Sequence, residues 1–227
     1  MKHSGFSLVE IMVVVAIAGV LLGLGIPAFR TMIDSNRTRA AAESVQTGLR
    51  QARAEAIQRN APMRFQLVST LTSACAYSTS SPLWVVTQTD NNPVVGVNPT
   101  TGTGRVAGFC DATPFVPPDQ PDPCNPVPTN RPAGNPTACT SEPYIAYKSP
   151  AESYPSVLVT ASASIITFGP LGQVLTNAEG TAALATVDFT VPTNSDAKAW
   201  QVRVNSPSGS IKFCDPALAA GQPLACT

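Results

Sequence analysis

One carboxylate, Glu10, stands inside an otherwise uncharged run from Phe6 to Phe29. A charge held in hydrocarbon costs at least ~2.5–3.5 kcal/mol at mid-membrane, and less near the interface, unless it is paired or protonated. No basic residue shares the run. The charge therefore needs a partner from outside this chain, or else it is a tolerated interfacial carboxylate. The remaining chemistry-bearing residues are sparse. His3 is the sole histidine, so a chain trimmed at its start would hold no Ser-His or Cys-His pair and no His-zinc site. The carboxylates are scattered without a paired arrangement, so an enzyme is not expected, nor any cofactor. Six cysteines (Cys75, Cys110, Cys124, Cys139, Cys214 and Cys226) form no C-x-x-C pair. A zinc site would need thiolates alone at unsuitable spacings. Their even number suits disulfides in an oxidising compartment. Thr101-Gly102-Thr103-Gly104-Arg105 is glycine-rich like a phosphate loop, but lacks the Lys-Ser/Thr ending and a following helix.

The element that must carry Glu10 is a helix. Twenty-four residues at ~1.5 Å each make a rod of roughly 36 Å, enough for a bilayer core of about 30 Å. A secretory signal peptide fits less well: the run exceeds the usual ~7–15 apolar residues and no A-x-A site follows. Lys2 on one side against Arg30, Arg37 and Arg39 on the other would by itself favour the opposite orientation to the one argued below. Helix-forming residues continue from Arg30 to Arg59, with Val45, Leu49, Ala52 and Ala56 in one apolar stripe suited to lie on a sheet. Asn60-Ala61-Pro62 ends the helix, and Pro27 removes one backbone hydrogen bond and kinks or loosens the rod. A continuous helix over 6–59 would be about 80 Å long, so half of it must protrude.

Alternation then replaces helical spacing. Strands are predicted over 63–68, 83–89, 144–148, 156–162, 164–168, 186–191, 199–205 and 210–214. The head is thus antiparallel β packed on the second half of the helix. Residues 90–143 hold 12 of the 22 prolines and cannot form sheet interior, so they read as a long surface loop stapled by bridges. Charge is uneven. Residues 30–64 carry seven arginines against three carboxylates, a net of +4, whereas residues 65–227 carry six basic and ten acidic groups, a net of −4. The arginines read as a solvated outer face, with anionic lipid headgroups a secondary contact for Arg30, Arg37 and Arg39. An acidic head is a poor match for DNA.

Gly5-Phe6-Ser7-Leu8-Val9-Glu10 followed by an apolar run resembles the leader of type IV pilins and type II secretion pseudopilins. The resemblance implies cleavage by prepilin peptidase after Gly5, N-methylation of Phe6, a cytoplasmic leader and a periplasmic head. It gives Glu10 a partner, the N-terminal ammonium of a neighbouring subunit during assembly, and matches Pro27 to a proline common in pilin helices. A narrower resemblance, to the GspH/FimT family, rests on Gln51-Ala52-Arg53-Ala54-Glu55-Ala56-Ile57-Gln58-Arg59-Asn60, on Ile166-Thr167-Phe168-Gly169-Pro170-Leu171-Gly172, and on the ending Ser208-Gly209-Ser210-Ile211-Lys212-Phe213-Cys214-Asp215-Pro216. The cysteine-bearing ending looks more like the pilus branch, with Cys214 paired to Cys226 and three pairings open to the other four cysteines. Some FimT-type relatives bind DNA through Gly-Arg-x-Arg. Here those positions read Gly209-Ser210-Ile211-Lys212, leaving Lys212 and nearby Arg203 as weak candidates.

The resulting expectation is an α+β pilin fold. It divides into a leader (1–5), a transmembrane and assembly helix (6–29), the periplasmic half of the helix (30–62), and a disulfide-braced β-rich head (63–227) with its Pro-rich loop (90–143). Its function would be that of a minor pilin helping to prime or join a type IV pilus, with a type II secretion pseudopilin or a DNA-uptake pilin as alternatives. Its partners would be other minor and major pilins, prepilin peptidase, the inner-membrane assembly platform and the lipid bilayer.

Overall fold

The computed structural model describes residues 7–72, 74–88, 110, 145–150, 154–177 and 180–226, and the side chains of these apart from residues 22–28. One helix, α1 (Leu8–Gln58), supplies 51 residues and a length of about 75 Å. Its assignment runs unbroken through Pro27. Its end follows from local chemistry. Asn60 takes φ 48°, the left-handed conformation that asparagine tolerates better than most side chains. That turns Asn60 N–H onto the Ile57 carbonyl (3.3 Å) and Ala61 N–H onto the Ala56 carbonyl (3.2 Å), satisfying two of the last carbonyls of the helix. Pro62 follows, where no helix could continue.

Among the described residues nine strands follow: β1 (Met63–Leu67), β2 (Trp84–Gln88), β3 (Ile145–Lys148), β4 (Leu158–Ala161), β5 (Ile165–Phe168), β6 (Val174–Leu175), β7 (Thr186–Thr190), β8 (Trp200–Asn205) and β9 (Ser210–Cys214). They form two antiparallel sheets, ordered β3-β2-β1-β5-β6 and β4-β7-β8-β9. The chain changes sheets at the short turn between β4 and β5. There the Ser162 hydroxyl accepts the Ala185 and Thr186 N–H groups (2.9 and 3.1 Å) at the start of β7, and Leu184 N–H reaches the Ile165 carbonyl of the first sheet at 2.8 Å.

Both sheets press one face on α1. Ala41, Ala42, Val45, Leu49, Ala52 and Ala56 are fully buried against Met63, Phe65, Leu67, Ile166 and Phe168 of the first sheet and Val187, Phe189, Val202 and Val204 of the second. Small residues on the helix let it approach closely. A Cβ on Gly48 would stand 2.6 Å from the Trp84 ring, which stacks on Phe65 and donates its indole N–H to the Ser44 hydroxyl at 3.2 Å. The far face of the first sheet is buried as well, around a second cluster of Val68, Cys75, Val85, Cys110 and Ile145. β1, between β2 and β5, is therefore buried at every residue, Arg64 included.

Candidate functional site

The first turn of α1 opens at Ser7, whose backbone carbonyl accepts from Glu10 and Ile11 N–H, and it carries Glu10 on an exposed surface. Every side chain from Leu8 to Leu21 is exposed. Leu8, Val9, Met12, Val15, Val20 and Leu21 each show between 64 and 71% of their surface. Water does not tolerate such a rod alone, because its apolar area gains nothing until something apolar covers it. Gly5 and Phe6 lie outside the described residues. Among the described residues no helix is long and apolar enough to cross a membrane.

Among the described residues the head takes hold of the helix from Thr31 onward. The loop between β7 and β8 forms the latch. Asn194 donates its amide to the Thr31 hydroxyl (3.3 Å) and Asp34 carboxylate (3.1 Å), Lys198 N–H donates to the Ser35 hydroxyl (3.0 Å), and the Thr38 hydroxyl donates to the Lys198 carbonyl (2.7 Å). The Lys198 ammonium pairs with Asp215 at 2.9 Å and sits 4.5 Å over the Trp200 ring. Asn194 and Lys198 carried no sequence signal, since a polar loop reads alike whether it is latched or loose.

At the other end of the helix, the three sequence stretches that carried the family resemblance converge. Arg53 donates Nε to the Gly172 carbonyl (2.9 Å) in the β5–β6 turn and reaches the Ser208 carbonyl in the β8–β9 turn at 3.5 Å. Gly172 and Gly209 have φ +75° and +68°, and a Cβ on Gly209 would run into the Gly172 carbonyl oxygen. One guanidinium thus ties helix, first sheet and second sheet together at a point where only glycine allows the turns to touch. Glu55, two residues on, receives Arg59 Nε on one oxygen and the Tyr147 hydroxyl (2.8 Å) on the other. Donating to that carboxylate raises the Tyr147 pKa above its usual value. Burial and the negative charge of Glu55 act in the same sense, and Arg59 opposes them. Arg53 and Glu55 of this run on α1 are therefore joinery facing its own head. Its pattern was visible in sequence, but its partners were not.

The cysteines fall into two bridges among the described residues. Cys75 bonds Cys110 and Cys214 bonds Cys226, while Cys124 and Cys139 lie outside the described residues. The first bridge anchors the buried Cys110 of the 90–143 segment beside β3, where Lys148 Nζ donates to its carbonyl at 3.1 Å. The remainder of that segment, including residues 101–105, also lies outside the described residues. The second bridge closes the C-terminal loop over β9, with Asp215 N–H bonded to the Leu224 carbonyl at 2.7 Å. Arg203 donates to the Cys226 carbonyl and stands opposite Lys212 in the β8–β9 register. Among the described residues no group of three or more His, Cys, Asp or Glu side chains could hold a metal ion.

A family model described as type II transport protein GspH matches residues 41–209, and a model of the prokaryotic N-terminal methylation motif matches residues 1–26. The chain belongs to the GspH family. With the methylation motif at its start, it is a pilin-like protein of the GspH/FimT type, and its helix on antiparallel sheets is a pilin arrangement. Its general role is that of a membrane-anchored minor pilin or pseudopilin. The GspH match spans all three convergent stretches up to Gly209 and stops before the Cys214–Cys226 loop. Among solved structures, the type IV minor pilin FimU of Pseudomonas aeruginosa aligns over 83% of this chain and 99% of its own at 11% identity, with a TM-score of 0.39. No curated protein sequence matches.

Proposed function

We propose that this GspH-family chain is a minor pilin, a structural subunit and not an enzyme, that helps prime or join a type IV pilus. The carrying observation is the bare apolar rod Leu8–Leu21 with Glu10 in its first turn, projecting beyond the point where the head lets go of the helix. In this reading residues 6–29 span the inner membrane, the leader 1–5 stays cytoplasmic, and the head lies in the periplasm, where its bridges form. Prepilin peptidase cuts after Gly5 and Phe6 is methylated. The new ammonium of one subunit then neutralises Glu10 of another as the assembly platform draws the rods side by side. Pro27 loosens the rod where it leaves the bilayer, and Arg30 faces the headgroups.

Intact-mass and peptide analysis of the membrane-extracted chain tests this. The mature protein should begin at Phe6 with one added methyl group, and Glu10→Ala should be processed normally yet be lost from sheared fibres. Met1 retained in fibres would overturn the reading.

The description of the matching family favours one second reading, a pseudopilin of type II secretion. Deletion of the gene separates the two, since loss of surface pili supports the first and loss of secreted enzymes the second. DNA uptake has weaker support. Arg203, one of its two candidate contacts, already spends its guanidinium on the Cys226 carbonyl.

A further inference from the structure

The two bridges among the described residues sit in different surroundings. Cys75 and Cys110 are both buried in the second cluster, beside Val68, Val85 and Ile145. Cys214 is buried too, but its partner Cys226 is only half-buried. The loop that this second bridge closes, residues 216–226, contains no buried residue. It has no apolar anchor of its own, so the bridge and a few hydrogen bonds hold it in place. Leu224 has φ 71°, a left-handed conformation that leucine rarely adopts, and its side chain is exposed. Strain of that kind persists only while the surrounding chain enforces it.

Asp215, at the base of the loop, is 4% exposed. Its N–H donates to the Leu224 carbonyl at 2.7 Å, and its Oδ1 accepts Ala217 N–H at 2.9 Å. The loop thereby aims the other oxygen, Oδ2, which receives the Lys198 ammonium at 2.9 Å. Lys198 is the residue whose backbone N–H and carbonyl both bond to α1, at Ser35 and Thr38. Contacts therefore run without a gap from the bridge through Asp215 and Lys198 to the helix. Trp200 reinforces them. Its ring takes the Lys198 ammonium at 4.5 Å and the Phe213 ring at 4.6 Å, and the Arg39 guanidinium of α1 lies 5.7 Å from it.

We propose that the Cys214–Cys226 bridge is a redox-sensitive lock on the grip between head and helix. Closed, it holds Asp215 on Lys198 and so keeps the β7–β8 loop on α1. A dithiol that reaches Cys226 opens it. The reagent's two thiols become a disulfide, while Cys214 and Cys226 gain two electrons and two protons and become thiols. The loop then relaxes at Leu224, Asp215 turns to water, and Lys198 loses the charge that steadies it. Cys75–Cys110, enclosed on both sides, stays shut under the same reagent. Every contact lies within one chain, so the lock does not depend on the pilus reading.

The full-length chain tests this, extracted in detergent, its free thiols blocked with N-ethylmaleimide, then treated with graded dithiothreitol. Peptide mass analysis after a second alkylation identifies which bridge has opened, and hydrogen exchange follows peptides 192–199 and 214–226. Cys214–Cys226 should open first. Exchange in 192–199, which includes the Lys198 N–H held by Ser35, should then quicken about three- to fivefold, as losing one partly exposed charge pair allows. Asp215→Asn, with its bridge closed, should quicken 192–199 by a similar factor, since it keeps an acceptor for Ala217 and removes the charge. Quickening confined to 214–226, or an unchanged 192–199 in Asp215→Asn, would overturn the lock. So would Cys75–Cys110 opening before or together with Cys214–Cys226.

Discussion

Arg53 shows what a family signature can mean at the scale of one side chain. Its position in the Ala-Arg-x-Glu-Ala pattern was plain in the sequence, yet a helix surface full of arginines gave no reason to single it out. Two backbone carbonyls far along the chain give it a role, and only folding brings them there. Arg53→Ala should leave the Gly172 carbonyl without its charged donor and destabilise the full-length chain by about 1–3 kcal/mol, read by denaturant melting in detergent. Arg53→Lys should recover part of that loss, since an ammonium can serve one carbonyl and not two. Tyr147 makes a separate prediction. Its pKa lies above the usual tyrosine range when folded, so its bond to Glu55 adds stability below about pH 10 and loses it as pH rises through the raised value. Ultraviolet titration should show a late-ionising tyrosine that disappears in Tyr147→Phe, and the alkaline fall in stability should flatten with it.

Among the elements, strands were legible because their alternation survives in sequence: eight of the nine lie inside or within one residue of the expected ranges. β6 escaped because two residues show no period. The sharing of the strands between two sheets was not legible either, since the connections at which the chain crosses from one sheet to the other read like any other turn. Helix packing was foreseen in its stripe but not in its tightness. Gly48→Ala drives a methyl into the Trp84 and Phe65 rings and should cost about 1–3 kcal/mol despite alanine's better helix propensity. Gly209→Ala should cost at least as much, because strain at positive φ adds to the collision with the Gly172 carbonyl. Thermal melts of the two variants, singly and together, would measure both. The Cys214–Cys226 bridge spans only 12 residues, so replacing both cysteines by serine should remove about 2–3 kcal/mol and expose the last residues to protease.

For the molecule as a whole, Glu10→Ala is the deciding substitution. In the proposed reading cleavage uses the leader and fibre entry uses the Glu10 charge, so incorporation should fall by an order of magnitude or more while processing stays intact. Immunoblots of sheared fibres against membranes read the ratio. Every cysteine follows residue 74, so no covalent brace ties the head to the rod except the chain itself at Asn60-Ala61-Pro62. If the rod is pulled lengthwise, tension enters through the Asn194–Lys198 latch and spreads in shear across Ala41, Val45, Leu49 and Ala52. Many weak contacts loaded in parallel resist such sliding better than peeling. The bridges then protect the head's own shape while the helix seam works as a mechanical fuse, and Thr31 and Asp34 are where a hauled subunit would first begin to slip.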